Sequence, residues 1–375
     1  MSGSTLLQLA IMGLLAASLP LAMVWIYRGA NKFRKLCQVT LFMTFDLIVF
    51  GGFTRLTDSG LGCPDWPGCY GQANPLQAHA DIGAAQLAMP TGPVTLTKAW
   101  IEMMHRYLAM SVGVLIIAIV VIAWVRWCQS ARRERHFNPT LPMWLLGLVC
   151  VQGAFGAFTV TMKLQPIIVT GHLLLALSLL ALLAWQSARL GDNAAPLAPN
   201  AARLRTHALL AALLLALQIA LGGWVSTNYA TLACTDFPLC HGVWWPQMDF
   251  ANGFTLWRKL GMTSSGAYLP FDALTAIHVT HRSFALVVAT VLGWLAWRGL
   301  KVDGLGGLSR ALLAGLGLQL CTGIATVYLE WPLALAVLHN AGAAVLVVLI
   351  VMLNYKTSAA RSVAPVLATQ TLPAF

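Results

Sequence analysis

Four histidines share one setting. His105, His172, His281 and His339 each lie a few residues inside a long apolar segment, and the first and third are followed by Arg106 and Arg282. They fall as two pairs, one in each half of a chain that repeats itself. An imidazole in an apolar medium is costly unless it is hydrogen-bonded or bound to metal. Two pairs on facing helices are the protein ligands that two six-coordinate haem irons require. The plainer alternative gives each imidazole a hydrogen bond to a neighbouring helix, a common use of polar residues in membrane bundles. That alternative explains one histidine more readily than four paired by repeat.

Other polar groups stand beside these four. Glu102 precedes His105 by three residues and so shares its helix face. Only the first half carries a carboxylate there; His278 takes the corresponding place three residues before His281. Glu102 reads either as a group acting on the neighbouring porphyrin or as a solvated helix-end charge. His278 reads as a hydrogen-bonding neighbour of the ligand, with ligation itself the competing role. Arg106 and Arg282 suit haem propionates through charge-assisted hydrogen bonds, or serve as ordinary interfacial anchors. His79 and His241 fall in long loops, and His136 and His207 at segment boundaries, where solvation suffices. Asp46 sits well inside an apolar segment, where a polar partner on a neighbouring helix is expected.

The elements that position these residues are membrane helices. The chain is 58% hydrophobic and 9% charged, and apolar runs of about 20 residues recur, the length that spans a bilayer. Spans are expected at about 6–26, 36–56, 98–126, 141–161, 167–188, 206–227, 272–298, 309–328 and 333–354. The formal charge of +11 does not indicate nucleic acid, because the basic residues cluster between spans. Arg28, Lys32, Arg34 and Lys35, then Arg126, Arg132, Arg133 and Arg135, then Arg189, Arg203 and Arg205 mark alternate loops, as do Arg298, Lys301, Arg310, Lys356 and Arg361 further on. By the positive-inside rule these face the cytoplasm, the loops at about 57–97 and 228–271 face outward, and the C-terminus is inside. The first run has no Lys or Arg before it and four within ten residues after it, which favours an N-out anchor helix over a signal peptide.

Each outward loop carries a C-x5-C pair, Cys63 with Cys69 and Cys234 with Cys240. Disulfides persist in oxidising compartments, so Cys63–Cys69 and Cys234–Cys240 bonds agree with the charge-derived topology; zinc is a weaker reading of that spacing. Both pairs are separated by 171 residues, as are Gly51 and Gly222, Asp65 and Asp236, and Pro67 and Pro238. His281 follows His105 by 176, whereas Gln319, Gly323 and His339 follow Gln152, Gly156 and His172 by 167. The expected fold is therefore an all-α polytopic membrane protein. Two pseudo-symmetric four-helix bundles, residues 36–190 and 206–355, are related by an axis along the membrane normal. An extra N-terminal helix with its basic turn occupies 1–35, a cytoplasmic linker 191–205 and a cytoplasmic tail 356–375.

The loop Thr54-Arg-Leu-Thr-Asp-Ser-Gly-Leu-Gly-Cys63-Pro-Asp-Trp-Pro-Gly-Cys69 closely resembles the first external loop of the haem A synthase family. Glu102-x-x-His105-Arg106, Ala233-Cys234-Thr-Asp-Phe-Pro-Leu-Cys240-His and His281-Arg282 resemble that family too, over about residues 36–354. The resemblance implies oxidation of a haem O methyl group to formyl by successive hydroxylations, supplying haem A to terminal oxidases. It implies that His281 and His339 hold a cofactor haem b, that His105 and His172 hold the substrate haem O, and that Glu102 is catalytic. It also implies a bacterial inner membrane. Residues 1–35 depart from the family's usual eight spans.

The competing class is a bis-histidine membrane electron carrier or a haem-transfer protein, both of which predict two equivalent haems and no use for Glu102. Expected partners are membrane lipid, an electron donor of unidentified kind, haem O synthase and oxidase assembly factors. A homo-oligomer is compatible with the sequence, and nucleic acid is not a partner.

Overall fold

In the computed structural model, residues 3–29, 31–191 and 199–370 are described, with side-chain surroundings as far as Ser358. Residues 192–198 of the expected linker and 371–375 of the expected tail lie outside the described residues. Among the described residues, all regular structure is helical. The long helices are α1 (Gly3–Ile26), α2 (Lys32–Leu56), α4 (Leu96–Gln129), α5 (Thr140–Thr161), α6 (Pro166–Arg189), α7 (Arg205–Thr227), α9 (Phe271–Gly299), α10 (Gly306–Tyr328) and α11 (Leu333–Gln370). All nine are long and apolar enough to cross a membrane, so the protein is a multi-pass membrane protein. The long loops carry two short helices that the apolar pattern did not announce, α3 (His79–Ala88) and α8 (Phe250–Gly253).

Two faces follow from the connections. On one face Arg189 Nη2 donates to the Arg135 carbonyl at 3.3 Å and Lys356 Nζ to the Gly304 carbonyl at 3.0 Å, so the basic turns are gathered together. On the other lie both disulfide loops and the start of α1, where Thr5 Oγ1 donates to the Gly71 carbonyl at 3.1 Å. The tight turn into α6 uses two consecutive left-handed residues, Lys163 and Leu164, and the turn into α11 repeats this with Glu330 and Trp331. Left-handed backbone is unfavourable for such side chains. A proline follows each turn, Pro166 as the first residue of α6 and Pro332 just before α11, with φ suited to helix entry.

The helices pack in the order needed to face the histidines. Helix α2 lies against α4 and α6, α5 bridges α4 and α6, and α7, α9, α10 and α11 make the corresponding set of contacts. The sets join through α2 with α11, α6 with α7, and α6 with α11. A large apolar cluster built around Leu180, Leu215, Leu292, Leu295 and Leu353 fills this junction. Helix α1 docks on α4 with a stripe at spacing four, Thr5, Leu9, Gly13 and Ala17, all buried. Small residues allow close approach, which drives helix association in lipid, where apolar burial alone is weak.

Gly13 is the tightest point of that seam, because a Cβ added there would come 2.9 Å from Met110 Cβ. Gly13→Leu is therefore expected to lift α1 from α4 and cost about 1–3 kcal/mol. Gly113→Leu, where a Cβ meets open space, should leave stability unchanged; thermal unfolding in detergent compares the two.

Candidate functional site

Each of the four histidines abuts a glycine on an adjacent helix. A Cβ at Gly51 would come 2.9 Å from His105 Nε2, and one at Gly222 would come 2.9 Å from His281 Cε1. A Cβ at Gly156 would come 3.3 Å from His172 Cε1, and one at Gly323 would come 3.0 Å from His339 Cε1. The missing side chains leave each imidazole flush against backbone, at a fixed height in its helix pair. His172 lies within electrostatic range of His105, as His339 does of His281. Two open clefts among the described residues lie elsewhere. One is lined by Arg132, Arg133, Arg135 and Arg189 and the other by Phe42, Phe45, Val345 and Val348, with none of the four histidines in either.

Three of the four histidines are held by a glutamine one turn before the facing glycine. Gln152 Nε2 lies 3.4 Å from His172 Nε2 and donates to the His172 carbonyl at 3.0 Å. Gln218 does the same for His281, at 3.1 Å to Nδ1 and 3.2 Å to the carbonyl. Gln319 Nε2 lies 3.3 Å from His339 Nε2, while Thr322 Oγ1 is 3.0 Å from its Nδ1. Gln152 and Gln319 stood out in the sequence as repeat partners, but Gln218 and Thr322 did not. The signal for Gln218 was the Gln-x3-Gly spacing shared by all three glutamines.

Glu102 is 4% exposed, which removes the solvated helix-end reading. Its Oε2 accepts from the Cys63 backbone N–H at 2.9 Å, and its Oε1 is ion-paired to Arg106. Arg106 also donates from Nη1 to the Asp65 carbonyl at 2.9 Å and to the Gly68 carbonyl. Its two terminal nitrogens are thus bonded to Glu102 and the loop. The physical reason is that the loop turns its carbonyls inward above α4, and a guanidinium is the donor set that meets several at once. Arg282 is different. Its Nη2 reaches the Pro238 and Leu239 carbonyls at 3.2 Å each, and its Nη1 is buried with no hydrogen-bond partner among the described residues. His278 is 5% exposed, and its Nδ1 is buried without a hydrogen-bond partner among the described residues. Among the described residues Asp46 has no hydrogen-bond partner, so the expected neighbouring polar group is absent.

Both loops carry the same clasp. Cys63–Cys69 and Cys234–Cys240 are disulfide-bonded. Asp65 accepts from the Tyr70 and Gly71 N–H groups at 2.6 and 2.7 Å, and Asp236 from those of His241 and Gly242 at 2.8 Å each. The Gly242 and His241 amides hold the Asp236 carboxyl below its ordinary pKa. The four remaining cysteines, Cys37, Cys128, Cys150 and Cys321, are free thiols. Among the described residues no three His, Cys, Asp or Glu side chains gather as a bare metal ion would need. Paired imidazoles suit a metal that brings its own equatorial ligands.

Replacing Arg106 strands the Glu102 carboxylate and two loop carbonyls. Arg106→Gln is expected to cost about 3–5 kcal/mol, read as thermal unfolding of the disulfide-intact protein. Adding Glu102→Gln should recover part of the loss, and simple additivity of the two would show that the pair is not coupled.

The family model for the cytochrome oxidase assembly protein family COX15-CtaA matches residues 34–351. A relative named Heme A synthase from Shewanella oneidensis is 38% identical over 322 residues, covering 85% of this chain and 95% of the relative. Others of that name, from Caulobacter vibrioides and Erythrobacter litoralis, are 33% and 30% identical, covering 81% and 80% of this chain and 90% of each relative. With its four paired histidines inside the matched region, the chain belongs to the COX15-CtaA family of cytochrome oxidase assembly proteins.

Proposed function

We propose that this chain is a haem A synthase, oxidising a methyl group of haem O to a formyl group within the membrane. The observation that carries the reading is the duplicated imidazole–glycine contact joined to a carboxylate found in one half only. Fit to haem is supported by polar atoms that lack partners beside the imidazoles: His172 Nδ1, Arg282 Nη1 and the Oε1 atoms of Gln152, Gln218 and Gln319 are all buried and unsatisfied. Buried groups of this kind call for a ligand or water.

In this reading residues 36–190 and 206–355 are two haem-binding halves. Their two-fold relation is supported where equivalent positions touch each other: Arg55 Nη2 donates to the Ser226 carbonyl at 2.6 Å, and Tyr229 Oη to Asp58 Oδ1 at 2.7 Å, each across 171 residues. Contacts between equivalent residues are what an axis running between the halves requires. His281 and His339 hold haem b, and His105 and His172 hold the substrate. A haem held by His281 and His339 would supply one-electron transfer. Arg282, with its unpaired Nη1, is the guanidinium suited to a propionate. Paired with Arg106 one turn from His105, the Glu102 carboxyl is placed to favour positive charge developing at the reacting carbon. Through Cys63 N–H and Arg106 the same carboxylate draws the first hairpin down over the site, excluding water. The clustered arginines and lysines on the opposite face, and disulfides on the hairpin face, support a bacterial inner membrane with the hairpins outside.

Co-expression with a haem O synthase, followed by chromatography of the extracted haems, tests this. The wild-type chain should yield haem A. Glu102→Gln should lower that yield roughly 10²-fold, with haem O or a hydroxylated product accumulating and the C-terminal haem retained. His281→Ala should strip the cofactor haem and stop turnover. Haem B alone in both sites, with haem O supplied, would instead identify an electron carrier or haem-transfer protein.

A further inference from the structure

The histidine surroundings are not equal. Gln152, Gln218 and Gln319 each stand four residues before the glycine that faces a histidine, and each brings its amide to that histidine. The fourth position, one turn before Gly51, is Leu47, and its repeat counterpart 171 residues on is Gln218. Among the described residues no hydrogen bond reaches the ring of His105. That ring has an aromatic neighbour instead, stacking on Phe50 with centroids 6.4 Å apart.

An amide is suited to this task because it carries a donor and an acceptor on one carbon. At His172 and His281 its N–H already bonds the histidine's own carbonyl, which fixes the amide beside the ring. The amide oxygen has no partner at any of the three sites. An imidazole bound to metal through one ring nitrogen would carry a proton on the other, and the stranded Oε1 would accept it once the amide turns, giving up its bond to the histidine carbonyl for one to the ring. Such outer hydrogen bonds orient an imidazole, fix its tautomer and raise its donor strength. Thr322, at the second ring nitrogen of His339, has the Gln319 carbonyl at 3.1 Å as an alternative acceptor and so can release that nitrogen.

We infer that Gln152, Gln218 and Gln319 are positioning residues for three axial histidines, and that Leu47 leaves His105 as the one unbraced, labile ligand. The N-terminal site is then the one whose haem exchanges, and the doubly braced C-terminal site is the one that retains it. This rests on the ligand assignment proposed above and adds to it the structural reason why one haem turns over.

The test swaps residues that the repeat already tolerates. The full chain, purified in detergent and loaded with iron protoporphyrin IX, is mixed with excess apomyoglobin, and haem loss is followed by absorbance. His105→Ala and His281→Ala assign the fast and slow phases. Leu47→Gln is expected to slow loss from the N-terminal site roughly tenfold, and Gln218→Leu to speed loss from the C-terminal site by a similar factor. In a redox titration Leu47→Gln should lower the N-terminal potential and Gln218→Leu raise the C-terminal one, opposite signs that general loosening would not produce. Unchanged phases and potentials in both variants overturn the inference while leaving the haem reading intact. A wild-type chain that takes up no bis-histidine haem overturns the ligand assignment itself, and the inference with it.

Discussion

An imidazole inside an apolar bundle has few ways to satisfy its two ring nitrogens, and the arrangement of this protein is organised around that demand. Lipid offers no hydrogen bonds, so each ring must be met by protein or ligand. The answer recurs four times: glycine on the neighbouring helix brings the ring against backbone, and in three cases glutamine one turn away supplies the amide. These contacts set the height of each helix pair. A residue larger than glycine at Gly51 or Gly222 would displace the imidazole of His105 or His281.

The hairpins depend on the same helices. Asp65 and Asp236 close their turns through backbone amides, so each hairpin is a rigid local unit stapled by its disulfide. What anchors the first to the bundle is a buried ion pair with three backbone partners: Glu102 to Cys63, Arg106 to Asp65 and Gly68. A buried pair is favourable only when its remaining hydrogen-bonding capacity is filled, and here loop backbone fills much of it. The second hairpin is held by Arg282 and Tyr328, and Arg282 Nη1 has no hydrogen-bond partner among the described residues. One half has spent its arginine on structure; the other keeps a donor in reserve.

The asymmetry between halves built on one plan is where function is written. Paired histidines, glycines and hairpins are common to both, so in the proposed function they would account for holding two porphyrins but not for treating them differently. Glu102 against His278, and Leu47 against Gln218, are the substitutions that distinguish the sites. Both lie within one helical turn of a histidine or its glycine, close enough to change the chemistry of one site and leave the packing of the repeat alone.

Much of this was legible in the chain. Run lengths mark the spans to within a few residues, because a bilayer imposes one apolar length on every crossing helix. The repeat pairs the histidines, and cysteine spacing identifies the hairpins, because these are distances along a single strand of sequence. Other features required the tertiary structure. Arg106, a natural propionate partner by its position, is consumed by carbonyls 38 and 41 residues earlier. The start of α1, beyond the family's matched region, touches the first hairpin at Gly71, 66 residues away. Gln218 finds His281 across 63 residues, and among the described residues Asp46 has no hydrogen-bond partner. The sequence by itself determined which groups must be buried and at what depth, since hydropathy and helix period act locally. Which buried groups meet depends on the rotation and register of helices packed together, and only the tertiary structure decides that.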